Sequence, residues 1–229
     1  MTQPARVVVL AAPSGGGKTT IARALRTRFP ERIGYSVSAT TRKARPEERD
    51  GEAYHFLTRS EFQQRRDAGE FLESASYAGE LYGTLRHEVD AVLASGRHVV
   101  LDVEVQGARQ VRKAYPPPAS LVLFVIPPSP RELIERLRGR RTETEGELVQ
   151  RLEIATREVE TAAKELGDVY DHVVLNDDVE RAVAEVAALV FGRALTAAPP
   201  RAAVELLATF VQDLRSEAAH LSQSSGRSR

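Results

Sequence analysis

Val7-Val8-Val9-Leu10-Ala11-Ala12-Pro13-Ser14-Gly15-Gly16-Gly17-Lys18-Thr19-Thr20 decides how the rest of the chain is read. A short apolar run opens into a glycine-rich turn and then Lys-Thr. Apolar residues at helical spacing follow (Ile21, Leu25, Phe29) and stop at Pro30. A buried strand, a Gly-rich turn and a helix opening on Lys-Thr form the pattern of a phosphate-binding loop. Gly15, Gly16 and Gly17 allow turn conformations that a Cβ penalises, so several N–H groups can face one phosphate. The helix start adds its partial positive charge at the same point. Lys18 supplies an ammonium for terminal phosphates, and the Thr19 hydroxyl is suited to Mg²⁺. Ala12 stands where the pattern has its first glycine. Without a ligand the same stretch is a glycine-rich surface turn. The strand before it and the Lys-Thr after it favour the phosphate.

Outward from that turn, β-branched runs alternate with helical patterns. Strands are expected at His98–Val103, Leu121–Ile126 and His172–Leu175, and helices over Gln106–Tyr115 and from about Val179 through Phe191. Strand–helix alternation predicts an α/β fold with a parallel sheet flanked by helices. Ligands of such sheets sit at the carboxyl ends of the strands, where the glycine-rich turn and Asp102 fall. An acid at that strand end is placed to share Mg²⁺ with the Thr19 hydroxyl. Glu104, two residues on, shares Asp102's side if the strand continues.

Two segments interrupt the alternation. Residues 38–86, rich in Arg, Gly and Tyr, read as a small mixed insert. Residues 129–160 read as Arg- and Glu-rich helix, with a break from Gly139 to Gly146. In the first, Arg42 and Arg45 are followed by Tyr54. Arginine forks and a phenol suit phosphate oxygens, and the same spacing also fits a solvated basic loop. Glu73 and Thr84 offer a carboxylate and a hydroxyl, which match the N1–H, N2–H₂ and O6 order of guanine; on spacing alone this stays open. Beyond residue 193, Ala-Ala-Pro-Pro reads as a linker. Val204, Leu207, Phe210 and Leu214 lie on one helical face that could dock on the core or on another subunit, or form a passive extension, and Ser222–Arg229 reads as disordered.

Bulk composition excludes other classes. The 229 residues are 42% hydrophobic and 28% charged, as in ordinary globular proteins. Lys+Arg and Asp+Glu are both 32, so no global field favours nucleic acid or membrane. With no cysteine there is no disulfide framework or thiol nucleophile. No apolar run approaches the roughly 20 residues of a membrane span, and Val7 follows the start too soon for a signal peptide. A cytoplasmic location is the expectation. The five histidines form no triad or metal pair in the sequence.

Taken together, Ser-Val-Ser-x-Thr-Thr-Arg-x-x-Arg (36–45), Gly-Glu-x-Tyr (51–54), Phe-Leu-Glu (71–73), Tyr-Gly-Thr (82–84) and Leu-Asp-Val-Glu-Val-Gln-Gly-Ala (101–108) resemble guanylate kinase. So do Pro-Pro-Ser (127–129), Arg-Leu-Arg-Gly-Arg (136–140), Thr-Glu-Thr-Glu (142–145) and Asn-Asp-Asp (176–178), in the family's order, over residues 6–192. The resemblance implies a P-loop core (1–37, 87–128, 161–192), a GMP-binding domain (38–86), a lid (129–160) and an extension (193–229) outside the family pattern. It implies ATP at Pro13, Ser14, Gly15, Gly16, Gly17, Lys18, Thr19, Thr20 and Asn176, and Mg²⁺ at Thr19 and Asp102. It assigns the GMP phosphate to Arg42, Arg45, Tyr54 and Tyr82, and guanine to Ser38, Glu73, Thr84 and Glu104. Lys18, Arg42 and the lid residues Arg136, Arg140 and Arg151 would act on the transferring group. Glu104 replaces the family's usual Asp, Ala39 a common polar residue, and Arg141 a common Gly. The expected activity is MgATP-dependent phosphorylation of GMP, by a monomer or homo-oligomer. A related P-loop small-molecule kinase is one alternative. The other is a non-catalytic phosphopeptide-binding module, which typically lacks a working P-loop.

Overall fold

The computed structural model describes residues 4–77, 79–138, 145–192 and 201–226. Its strands are β1 (Val7–Ala11), β2 (Ile33–Gly34), β3 (Ser38–Thr40), β4 (His55–Phe56), β5 (Phe71–Tyr77), β6 (Glu80–Leu85), β7 (His98–Val103), β8 (Ser120–Ile126) and β9 (His172–Leu175). Its helices are α1 (Lys18–Arg28), α2 (Arg59–Asp67), α3 (Arg86–Ala94), α4 (Val105–Ala114), α5 (Pro130–Arg138), α6 (Glu145–Lys164), α7 (Val179–Phe191) and α8 (Arg201–Gly226). None of the described helices is long and apolar enough to cross a membrane.

A five-stranded sheet runs in the order β2-β7-β1-β8-β9, with β2 parallel to β7 and β8 parallel to β9. Every residue of β1 and β8 is buried, as continuous Val/Leu/Ile runs require when helices cover both faces of a sheet. The chain divides into two compact units, Met1–Val9 with Ala22–Leu121, and Leu10–Ile21 with Val122–Arg229.

In the first unit a second sheet, β4-β3-β6-β5, forms from the segment read as a mixed insert. Ala39, Phe62, Phe71, Leu81 and Leu85 make its core, with Leu57 against them and the rings of Phe62 and Phe71 stacked at 4.3 Å. Phe62 reaches that core because a capping box starts α2 in the right place. The Thr58 hydroxyl accepts from the Glu61 N–H, and the Glu61 carboxylate accepts from the Thr58 N–H at 2.7 Å.

In the second unit, Asp178 caps α7 by accepting from the Arg181 N–H at 2.8 Å. The sequence places the break between α5 and α6 at 139–146, but α6 already begins at Glu145, so Gly146 lies inside its first turn. Gly139 and the Thr142–Thr144 stretch lie outside the described residues. Helix α8 packs on α6 and α5. Its buried face is Leu207, Phe210, Val211 and Leu214, whereas Val204 is 42% exposed. Residues 207, 210, 211 and 214 fit a 3.6-residue stripe, and Val204 precedes the region of contact. The helix also continues to Gly226, past the Ser222 at which disorder was expected. Ser and Gln carry only a modest helix penalty, and extending a helix costs far less than starting one.

Candidate active site

The second unit carries the glycine-rich turn. Gly15 and Gly17 have φ of +87° and +95°, values that L side chains rarely adopt. A Cβ on Gly17 would stand 2.1 Å from Nδ2 of Asn176 and 3.5 Å from Nη1 of Arg136. Gly17 therefore leaves room for the Asn176 side chain as well as for the turn. The Gly16 N–H donates to the Pro13 carbonyl at 2.8 Å, closing the loop. Helix α1 starts at Lys18, with Thr19 and Thr20 exposed on its first turn and Ser14 half-buried in the loop. The N–H groups of that first turn carry positive potential toward whatever lies before it.

Asn176 is 2% exposed at the end of β9. Its Nδ2 donates to the Gly16 carbonyl at 2.9 Å, and its backbone N–H donates to the Ile126 carbonyl at 2.7 Å. Its Oδ1 is buried without a hydrogen-bond partner. Arg136, on α5, donates to the Asn176 carbonyl at 3.0 Å and to Glu132 at 2.5 Å. The structure thus brings Arg136, Asn176 and Gly17 together in one unit. Arg151 is half-buried on α6, and Arg140 lies outside the described residues.

The first unit gathers the other candidates. Antiparallel pairing sets Ser38 opposite Thr84 on β6, and Glu73 on β5 opposite Thr84 from the other side. Directly opposed residues in adjacent strands point to the same face, so a single rung presents hydroxyl, hydroxyl and carboxyl. The Thr84 hydroxyl donates to Glu73 Oε1 at 2.7 Å, and Glu73 is 6% exposed. Burial pushes the Glu73 carboxyl up to about 7, with the neighbouring Glu104 and Asp102 charges adding to it. The other oxygen, Oε2, lies 2.5 Å from where a Cβ on Gly107 would be, so any side chain there displaces the carboxyl. Gln110 fixes α4 to β5, accepting from the Ser74 N–H at 3.2 Å and donating to the Ser74 carbonyl at 3.0 Å. Asp102 is exposed near the end of β7, and Glu104 occupies the N-cap of α4.

Two residues further along the strands, past the Ala39–Gly83 pair and so on the same face, Thr40 lies opposite Tyr82. The Thr40 hydroxyl accepts from the Arg42 N–H at 3.1 Å, and the Tyr82 and Tyr54 rings meet edge to face with centroids 6.0 Å apart. The Arg42 guanidinium stands 5.5 Å from the Tyr54 ring centre. Burial pushes the Tyr54 phenol up to about 12, helped by Asp102, Tyr82 and Tyr35, so it remains a protonated donor at neutral pH. Arg45 is exposed at the edge of this group.

Glu48 is the residue that spacing did not single out. Its two oxygens accept from both Arg42 Nη atoms at 2.8 and 2.9 Å, and Oε2 also accepts from the Arg45 N–H at 2.8 Å. Arg42 holds the Glu48 carboxyl down at about 2. The available signal was an acid three residues beyond Arg-x-x-Arg, and Glu47 beside it obscures that signal. Two of the histidines pair with carboxylates outside these groups: His55 meets Glu88 at 3.1 Å and His172 meets Glu185 at 2.8 Å.

Comparison with known proteins gives the same answer along most of the chain. The family model for guanylate kinase matches residues 4–192. The guanylate kinase of Trichormus variabilis is 44% identical over 187 residues, covering 82% of this chain and 90% of that protein. That of Anaeromyxobacter dehalogenans is 46% identical over 187 residues, covering 82% and 80%. The crystal structure of guanylate kinase from Anaplasma phagocytophilum superposes with a TM-score of 0.64 at 28% identity, over 82% of this chain and 86% of that one. A P-loop, a parallel sheet flanked by helices and a second sheet bearing the Ser38–Thr84–Glu73 rung thus come with matching sequence over the same residues, and the chain belongs to the guanylate kinase family.

Proposed function

We propose that the protein transfers the terminal phosphoryl group of MgATP to the phosphate of GMP, giving ADP and GDP. The observation that carries this reading is the single rung of Ser38, Thr84 and Glu73, with the Arg42–Tyr54–Tyr82 group two residues along the same face. Guanine presents two adjacent donors to a carboxylate and one acceptor to a hydroxyl. Adenine reverses that order and would leave Glu73 buried against an acceptor, a mismatch that such sites reject steeply. Arg42, Arg45, Tyr54 and Tyr82 supply donors for the GMP phosphate. Glu104 follows Asp102 on the guanine side.

The acceptor needs no general base. A phosphate monoester's second pKa is about 6, so its oxygen is already ionised at neutral pH. The chain's task is to align two polyanions and to offset charge on the group in transit. The loop from Pro13 to Thr20 holds the donor phosphates through its N–H groups. Lys18 reaches the terminal ones, and Arg136, Arg140 and Arg151 supply charge from the lid. Asn176 Nδ2 keeps the loop in shape through the Gly16 carbonyl. Bound Mg²⁺ supplies positive charge on the phosphate oxygens. The Thr19 hydroxyl and the Asp102 carboxylate, both exposed, are each hard oxygen donors of the kind that would hold it. Residues 38–86 serve as the GMP-binding domain and 129–160 as the lid in this reading.

The test is ADP formation with MgATP and GMP, AMP, CMP or UMP in separate reactions, with Glu73→Gln alongside. GMP-selective turnover that collapses in the variant is the expected result. Turnover of GMP left intact by Glu73→Gln moves the base-reading site elsewhere. Binding of GMP or a phosphopeptide without any turnover turns the chain into a binding module.

A further inference from the structure

The helix α8 lies wholly beyond the residues that match the family model, which end at 192. It is nonetheless built into the second unit. Leu207, Phe210, Val211 and Leu214 are buried at successive spacings of three, one and three residues, one stripe of an amphipathic helix. Two of its charged residues, two positions apart, pair with different helices. Arg215 donates to Glu160 of α6 at 2.5 Å, and Glu217 accepts from Arg131 of α5 at 3.4 Å. The helix therefore bridges α5 and α6 through an apolar stripe and a polar rim. Those two helices carry Arg136 and Arg151.

We propose that α8 is a positioning strut. It fastens α5 and α6 into one three-helix body so that Arg136 and Arg151 present their charges as a set. The physical reason lies in α6. Helices draw most of their stability from packing of an apolar face rather than from propensity. The apolar face of α6 runs Leu148, Leu152, Ala155, Val159, Ala162 along its length, all buried. Arg151 is next to Leu152, so a helix that frays or rolls about that face moves the arginine with it. Displacing a positioned charge by about 1 Å can cost on the order of 10²-fold in rate. GMP recognition belongs to the first unit, so a strut in the second unit bears on turnover and on ATP, and not on GMP binding.

This inference rests on the kinase reading for its kinetic arm only. Three preparations are compared: the full chain, a chain ending at Gly192, and the full chain with Phe210→Ala, which keeps the polar rim. Hydrogen exchange is followed over α6 and over β5–β6. Steady-state kcat, KM for ATP and, by calorimetry without ATP, Kd for GMP are measured, with solution mass by light scattering. In both altered chains, exchange over α6 should rise at least tenfold, with β5–β6 unchanged. kcat should fall at least tenfold while Kd for GMP stays within twofold. Wild-type exchange over α6 in either altered chain overturns the strut. Loss of GMP affinity in place of kcat overturns it as well. A full chain that is dimeric and loses α6 protection on dilution assigns the contact to a second copy, which also overturns it. If the full chain phosphorylates no GMP, the exchange arm still decides the mechanical claim, so the two failures read differently.

Discussion

A 2.7 Å hydrogen bond from Thr84 holds the Glu73 carboxyl in a buried place where its proton affinity is raised to about 7. In the proposed reading guanine's two donors bind the ionised form, so GMP binding must shed that proton at acid pH. Below pH 7 the apparent Kd for GMP should therefore weaken about tenfold per pH unit, and calorimetry from pH 5.5 to 8 in the wild type tests it. In Glu73→Gln the dependence above about pH 6 should vanish, leaving only the titration of the GMP phosphate below it, and KM for GMP should rise roughly 10- to 100-fold, the cost of a lost charge-assisted pair. Glu48 poses a second question at this scale. It holds the Arg42 fork with both oxygens while also accepting from the Arg45 N–H. If that grip aims the fork, Glu48→Gln raises KM for GMP about tenfold and leaves kcat within about twofold. A KM that falls instead would make Glu48 a competitor of the phosphate.

At the scale of elements, the loop between β1 and α1 depends on Gly17 for both its φ of +95° and the room it leaves Asn176. Gly17→Ala should reduce kcat/KM for ATP on the order of 10²-fold, since the misplaced loop loses its aligned N–H donors. GMP binding, which the proposal assigns to the other unit, should stay within twofold by calorimetry. Helix α4 offers the parallel case in the first unit. Gly107→Ala puts a methyl 2.5 Å from Glu73 Oε2, and the carboxyl must leave the rung. The expected signature is a raised KM for GMP with KM for ATP unchanged, the mirror image of Gly17→Ala.

At the scale of the whole molecule, the same carboxyl ties stability to pH. An acid whose pKa is raised on folding binds its proton more tightly in the native chain than in the unfolded one. Its contribution is fully present below the ordinary value of 4.5 and is lost as pH rises through about 7. The ligand-free protein should therefore show a Tm that declines from pH 5 to 7.5 in this respect, and Glu73→Gln should flatten that part of the curve. GMP at saturating concentration should reverse the trend above pH 7, because it stabilises the ionised native form. Differential scanning calorimetry of both proteins with and without GMP gives the comparison.

The sequence by itself determined the local features. Val7–Ala11 followed by a Gly-rich turn and Lys-Thr can be read as strand, loop and helix because apolar periodicity and glycine act over a few residues. The same holds for the strands at β7, β8 and β9, and for the motif set that extends across residues 6–192. What joins distant positions was legible only in the fold. Ser38, Glu73 and Thr84 become one rung through strand register, and register is set by pairing between strands rather than by the residues of any one of them. Glu48 gains its role from the turn that folds it back on Arg42, and Gly107 from the approach of β5 to α4. The stripe of α8 was visible as a helical face with several outcomes. Its docking on α5 and α6, with Val211 inside and Val204 outside, was decided by the packing of helices that the stripe alone cannot name.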